Sequence, residues 1–300
     1  MNKSGSILQK RSRPVDMLLR SLIYFAAFLS VALLLGIIGY VFYKGIGSVS
    51  WTFLTTVTSA LKQTTGIAGN IVNTLYIILI TLLIATPLGV GAAIYLNEYA
   101  RPGRLVSAIE FTTETLSGIP SVIFGLFGLI FFGNTLKLGY SLLRGALTLS
   151  IMVLPLITRN TQEALRTVPD SYRNGALGMG ATKWYMIRTI LLPSAMPGIV
   201  TGIILAVGRI VGESAALLFT AGSGYLLPKL AGKGLGEGIA ALGHKALESG
   251  GTLTVELYLQ MQNGRYDTAF GIGCVLIIIV LAINLLMKVL AAKLQPERQR

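Results

Sequence analysis

Residues 22–43 read LIYFAAFLSVALLLGIIGYVFY, twenty-two positions without one charged side chain. A bilayer's hydrocarbon core of about 30 Å takes roughly 20 apolar residues to cross as a helix. The run therefore reads as a transmembrane helix, and the same template carried outward finds five more. Residues 71–96 give the second, a stretch from near Leu116 to Phe132 the third, 145–157 a short fourth, 196–220 the fifth and 269–290 the sixth. The expected fold is all-α, a polytopic membrane helix bundle of six spans. Lipid offers backbone N–H and C=O groups no partners, and a helix satisfies its own.

Composition agrees: 53% of the chain is hydrophobic and 12% charged, with the charges gathered between apolar runs. An even number of crossings puts both termini on one side, and lysine and arginine placement names that side. Sixteen basic residues fall with the termini, ahead of the first span, at Arg101 and Arg104, from Arg159 to Arg188 and from Lys288 onward; eight fall opposite. Both termini are thus expected in the cytoplasm and the chain in the plasma (inner) membrane. The net charge of +13 suits an inside-positive protein beside anionic lipid, so lipid is an expected partner and nucleic acid is not. The first apolar run is too long for the core of a signal peptide and reads as a retained helix. Cys274 is the single cysteine, inside the sixth span, so no disulfide forms within the chain.

Two connections are long. The outer one, 221–268, is glycine-rich, with Gly232, Gly234, Gly236 and Gly238 ahead of Ile239, Ala240, Leu242 and Leu247, a pattern for a short interfacial helix. The cytoplasmic one, 160–193, has more order in its chemistry. Pro169 and Asp170 start a helix, Gly180 supplies a left-handed stop, Thr182 caps a second helix, Pro193 closes it and Pro197 bends the entry to the fifth span. This is a helix, a glycine hinge and another helix, carrying Arg166, Arg173, Lys183 and Arg188. The pattern fits docking into another protein, and fits equally a hairpin resting on lipid headgroups through Trp184 and Tyr185.

At this loop the residues become specific: Asn174-Gly175-Ala176, then Gly180, then nine residues to Ile190-Leu191-Leu192-Pro193. The spacing resembles the cytoplasmic signature of ATP-binding cassette (ABC) importer permeases of type I, Glu-Ala-Ala-x3-Gly-x9-Ile-x-Leu-Pro. Asn174 and Gly175 depart from the usual Glu and Ala, and the outer loop is longer than is usual in that family. The text from Ala164 to Arg173, the run Leu116-Ser117-Gly118-Ile119-Pro120-Ser121 continuing to Gly128, and the run from Gly208 to Gly222 resemble the phosphate-importer branch and its A-type permease. The resemblance covers roughly 71–290.

It implies a core permease domain over 68–291, flanked by the first helix and by short tails at 1–21 and 292–300. It implies three kinds of neighbour: a second permease subunit, two ATP-binding subunits that use ATP and magnesium, and an external phosphate-binding protein. This chain itself would bind no cofactor. The implied ATPase-coupling residues are Asn174, Gly175, Ala176, Leu177, Met179, Gly180, Ile190, Leu192 and Pro193, with Ala176, Leu177 and Met179 presenting the docking face.

Within the membrane, Arg209 and Glu213 stand four apart in the fifth span, hence on one helix face and within pairing reach. A charge at mid-bilayer costs about 2.5–3.5 kcal/mol even on permissive scales, so the pair is expected to do something. Arg209 would line a wet path for an oxyanion, with Glu213 keeping the guanidinium from holding it too tightly; a structural pair locking two helices is the other reading. Glu110 and Glu114 are expected to be wet or paired to loop arginines. Gly118, Ser121, Gly125, Gly128 and Gly133 give the third span a small-residue packing face, and Pro87 and Pro155 kink their helices or free carbonyls. The chain has no phosphate-binding Gly-x4-Gly-Lys-Ser/Thr loop and no His-Glu-x2-His, and His244 is its one histidine. That disfavours ATP hydrolysis by this chain and an intramembrane enzyme alike. The nearer rivals are a permease for sulfate, molybdate or phosphonate, and a channel that needs no ATPase.

Overall fold

The long apolar run becomes helix α1 (Pro14–Gly45), with Pro14 at its first position, where a missing N–H costs nothing. The computed structural model describes residues 14–59, 64–227, 241 and 243–294. Next come α2 (Trp51–Thr55), capped by Ser50, whose Oγ accepts the Phe53 N–H at 3.1 Å, and two short strands, β1 (Val57–Ser59) and β2 (Thr64–Ile67). The strands pair antiparallel with Val57 opposite Ile67, a small departure from an all-helical chain. Helix α3 (Ala68–Ile94) runs on as a π-helical segment, Tyr95–Tyr99. Then follow α4 (Arg104–Gly118), α5 (Ser121–Gly128) with a π-helical extension to Thr135, α6 (Leu142–Arg166), α7 (Asp170–Gly178) and α8 (Lys183–Met186). The chain closes with α9 (Leu192–Gly212), α10 (Ala215–Thr220), α11 (Leu253–Gln262) and α12 (Tyr266–Leu294).

Five of these stretches are long and apolar enough to cross a bilayer by themselves, and a bent pair, α4 with α5 and its extension, makes six where it counts as one crossing. That pair corrects the expected third span. The helix breaks by 102° between Gly118 and Ser121, because Pro120 drives Ile119 into an extended conformation, φ −71° and ψ 132°. The fourth span is far longer than 145–157. It occupies all of α6, and its hydroxyl-bearing residues lower the hydropathy while pointing inward: Ser150 Oγ donates to the Ala146 carbonyl at 2.7 Å and Thr148 Oγ1 to that of Arg144 at 2.9 Å. The connection expected over 160–193 is correspondingly shorter. Pro193 does not end a helix either: helical backbone continues from Lys183 to Gly212. A π-helical turn at Ile187–Leu191 widens the helix just ahead of the position where a proline ring would meet the carbonyl four residues back.

The centre of the bundle is α3, α6 and α9, with Ala85, Leu149, Val153, Ile157 and Val207 all fully buried. Small residues let these helices meet: a Cβ on Gly89 would press on Ile157, one on Gly198 on Ala164, one on Gly202 on Asn160. Such contact, not exclusion of water, drives association in lipid. The apolar stretch of α1 is unburied along its whole length, as suits a helix whose neighbour is acyl chain. Only its C-terminal end packs, where Tyr40 meets Phe270 edge-on at 5.7 Å and the Cys274 thiol donates to the Val41 carbonyl at 3.3 Å.

The two arms of the glycine-rich connection meet in a neck. The Gly251 N–H donates to Gly224 O at 2.6 Å and the Gly250 N–H to Ala221 O at 2.9 Å. The amide of Asn73, on α3, bonds both carbonyls of the neck, Gly224 at 2.9 Å and Gly251 at 3.2 Å. Of the interfacial helix expected after Gly232, residues 228–240 and 242 lie outside those described, and helix is present at 243–246.

Candidate functional site

The hairpin that follows α6 forms as its sequence directs. Helix α7 starts after Pro169, Gly180 adopts φ +83°, and Thr182 caps α8 by accepting the Tyr185 N–H at 3.3 Å. Leu177 and Met179 are exposed, Met179 by 88%, together with Asn174, Gly175 and Gly180. Ala176 corrects the expected docking face: it is 4% exposed and packs inward against Leu165, Val168, Met186 and Ile187. Ile190 and Leu192 pack against the same cluster.

A clasp ties this hairpin to the bundle. Arg173 donates from Nη2 and Nε to Glu98 Oε1, at 2.9 and 3.2 Å, and its two Nη groups also bond the carbonyls of Leu165 and Val168. Glu98 lies in the π-helical end of α3 and its side chain is 5% exposed, against 16% for Arg173. Beside it, Lys183 Nζ sits 5.0 Å from the Tyr99 ring centroid. Arg173 thus belongs to the joint between hairpin and bundle, not to a surface stripe of basic charge.

In the fifth span the structure separates Arg209 from Glu213. Helix α9 ends at Gly212, and Glu213 is extended, φ −83° and ψ 120°. Its carboxylate accepts the Ala216 N–H at 3.0 Å, closing the start of α10, and its carbonyl accepts from Thr254 Oγ1 at 3.0 Å. Four residues place two side chains on one face only while the helix continues; here it stops between them. Arg209 is exposed and has no hydrogen-bond or ion-pair partner among the described residues. It belongs to a stripe of α9 that the chain leaves uncovered: Ser194, Pro197, Thr201, Leu205, Gly208, Arg209 and Gly212, spaced as one helix face. At the stripe's other end lies a groove against α6, lined by Asn160, Glu163, Ser194 and Thr201 among others.

Helix α10 is held by a second arginine. Arg144, 2% exposed, donates from Nε to the Thr220 carbonyl at 2.7 Å and from Nη2 to that of Phe219 at 2.9 Å, with its guanidinium carbon 4.4 Å from the Tyr140 centroid. It fills the unsatisfied C-terminal acceptors of that helix. The glycine face of α5 completes the contact, since a Cβ would strike Ala216 from Gly125, Thr148 and Thr220 from Gly128, and Arg144 from Gly133. At the opposite end of the bundle, α4 leans on α6 through two ion pairs, Glu114–Arg159 and Glu110–Arg166, each at 3.4 Å.

Residues 85–300 match the model of a family described as binding-protein-dependent transport system inner membrane components. The chain belongs to this family of ABC importer permeases. The match begins inside α3, so α1 stands outside it. A probable ABC transporter permease protein of Bacillus subtilis, YqgI, is 41% identical over 207 residues, 69% of this chain and 70% of that protein. A phosphate transport system permease protein PstA homolog of Mycoplasma pneumoniae is 40% identical over 204 residues, 66% of this chain but only 31% of that protein. Among solved structures, a chain of the bacterial alginate ABC transporter aligns with a TM-score of 0.60 at 18% identity, covering 94% of each chain, a likeness of fold.

In this permease, the residues that sequence reasoning missed are those whose partners are remote. Arg173 and Glu98 are 75 positions apart and Arg144 and Thr220 are 76 apart. The one available signal was an arginine at the edge of a span, where a buried cation must find acceptors. Glu110 and Glu114 were read as wet or paired to arginines, and each is paired, although to α6 and not to a loop.

Proposed function

We propose that this permease forms, with a second permease subunit, the path by which inorganic phosphate enters the cell. Two ATP-binding subunits would dock on the cytoplasmic hairpin, using ATP and magnesium, and an external phosphate-binding protein would deliver the ion. The observation that carries the reading is Arg209. An unpartnered guanidinium on an uncovered helix face is costly against lipid, so the stripe of α9 is better suited to a watery path shared with the partner subunit, where an oxyanion passes. The names of relatives and the motifs at 116–128, 164–173 and 208–222 support phosphate as that ion. The sixteen-to-eight asymmetry of basic residues supports a cytoplasmic hairpin and cytoplasmic termini.

The hairpin would act as a rigid lever. Closure of the ATPase dimer moves α7 and α8, and the Arg173–Glu98 clasp passes that displacement to α3. The test is labelled-phosphate uptake by the reconstituted assembly, with sulfate and molybdate as competitors. Arg209→Gln should abolish uptake while the chain still assembles; uptake at normal expression would remove Arg209 from the path. Uptake that follows another oxyanion would replace the substrate, and uptake without ATP would overturn the mechanism.

A further inference from the structure

The uncovered stripe of α9 is not composed for lipid. Acyl chains favour leucine, isoleucine, valine and phenylalanine, whereas Ser194, Pro197, Thr201, Gly208, Arg209 and Gly212 are small, polar or charged. Leu205 is the exception, 51% exposed and the one large apolar side chain that α9 leaves uncovered. It stands one turn from Thr201 and one turn from Arg209, about 6 Å along the axis in each direction, and so divides the stripe in two. Toward the hairpin lies the groove of about 440 Å³ against α6, with Asn160, Glu163, Thr167, Ser194 and Thr201 in its wall. Glu163 is exposed, and its carboxylate has no hydrogen-bond or ion-pair partner among the described residues. Away from the hairpin stand Gly208, Arg209 and Gly212.

We propose that Leu205 is the apolar seal of the path, closing it between Arg209 and the hairpin end against the facing surface of the second permease subunit; the proposal rests on the α9 stripe lining the path and deepens that reading. A driven path must never stand open at both ends, since the ion would then run back down its gradient and ATP would be hydrolysed to no effect. A side chain that only excludes water suits this task. A constriction walled by leucine empties of water, and an oxyanion entering it gives up its hydration and receives no donor in exchange. The two compartments treat the ion differently. Arg209 offers a guanidinium fork that fits an oxyanion bidentately. Past the seal, the unpartnered charge of Glu163 repels an anion, which favours release over return.

The experiment uses the assembled transporter in liposomes loaded with phosphate and sulfate carrying different radiolabels, with ATP either absent or replaced by a non-hydrolysable analogue. Leu205→Asn, close in volume but polar, should release phosphate about tenfold faster than the unsubstituted transporter in one of the two nucleotide conditions. Leu205→Met stays apolar and should stay tight. The exposed position spares the fold from either change. A second readout separates path from lipid: Leu205→Cys, in a Cys274→Ala background, should react with a membrane-impermeant charged thiosulfonate in one nucleotide condition and be protected in the other. A tight asparagine variant, a methionine variant that leaks as fast, or a thiol labelled equally in both conditions or in neither would overturn the proposal. ATP-driven uptake by the unsubstituted transporter, measured alongside, keeps the two claims apart. Phosphate uptake with a tight asparagine variant sinks the seal alone, whereas uptake and leak that both follow sulfate sink the phosphate reading and leave the seal standing.

Discussion

Replacing Glu98 by Gln should loosen the lever. The substitution keeps the shape and one acceptor oxygen but removes the charge that Arg173 faces at 2.9 Å. Removing one partner of a fully buried pair costs about 3–5 kcal/mol, and an exposed pair contributes about 0.2–1 kcal/mol. With side chains 5% and 16% exposed, and with the carbonyls of Leu165 and Val168 and the carboxylate of Asp170 still serving the guanidinium, a loss of about 2 kcal/mol is expected between those limits. That is about a thirtyfold shift from docked toward undocked hairpin. Hydrogen–deuterium exchange reads local opening directly. Amides of α7 should exchange about thirtyfold faster in the variant while those of α6 near Leu149 keep their rate, and phosphate uptake should fall at unchanged chain level in the membrane. Exchange in α7 within about threefold of the unsubstituted chain would refute the clasp as the joint that holds the hairpin.

Other substitutions test separate joints. Gly180→Val meets no atom within 4 Å, so its whole cost is the backbone at φ +83°, about 1–2 kcal/mol or more for a branched side chain; uptake should drop with the chain still in the membrane, and normal uptake with intact ATPase co-purification would show that the hinge tolerates it. Arg144→Met orphans the Phe219 carbonyl and removes one of two donors to Thr220, at about 2 kcal/mol. The thermal unfolding midpoint in detergent should drop measurably, and Arg144→Lys should not restore it, because an ammonium lacks the planar fork. An unchanged midpoint in the methionine variant would mean that α10 is held by its glycine contacts alone.

How much of the fold was legible in the sequence depends on how local each cause is. Uncharged runs of some twenty residues announce spans whatever surrounds them, and Pro169, Gly180 and Thr182 settle the hairpin because start, stop and cap are each decided within three residues. The bend at Ile119 was written in Pro120, yet the hydropathy of 116–132 masked it. The fourth span was underestimated because Thr148, Ser150, Thr158 and Thr161 count as polar while being buried in the bundle. Arg209 and Glu213 misled most, since a four-residue spacing carries meaning only inside continuous helix. The break at Gly212 depends on Glu213 turning to cap α10 and on Thr254, 41 positions away, which no local pattern reveals.

The neck formed by Gly224 and Gly251 has a practical consequence. Once two ends of a segment are tied to each other and to Asn73, the bundle no longer registers how much chain lies between them. Doubling such a closed segment costs only about 0.6 kcal/mol in closure entropy. An epitope, a fluorescent reporter or a small folded module spliced between Leu227 and Ala241 would therefore leave α3, α10 and α11 in register.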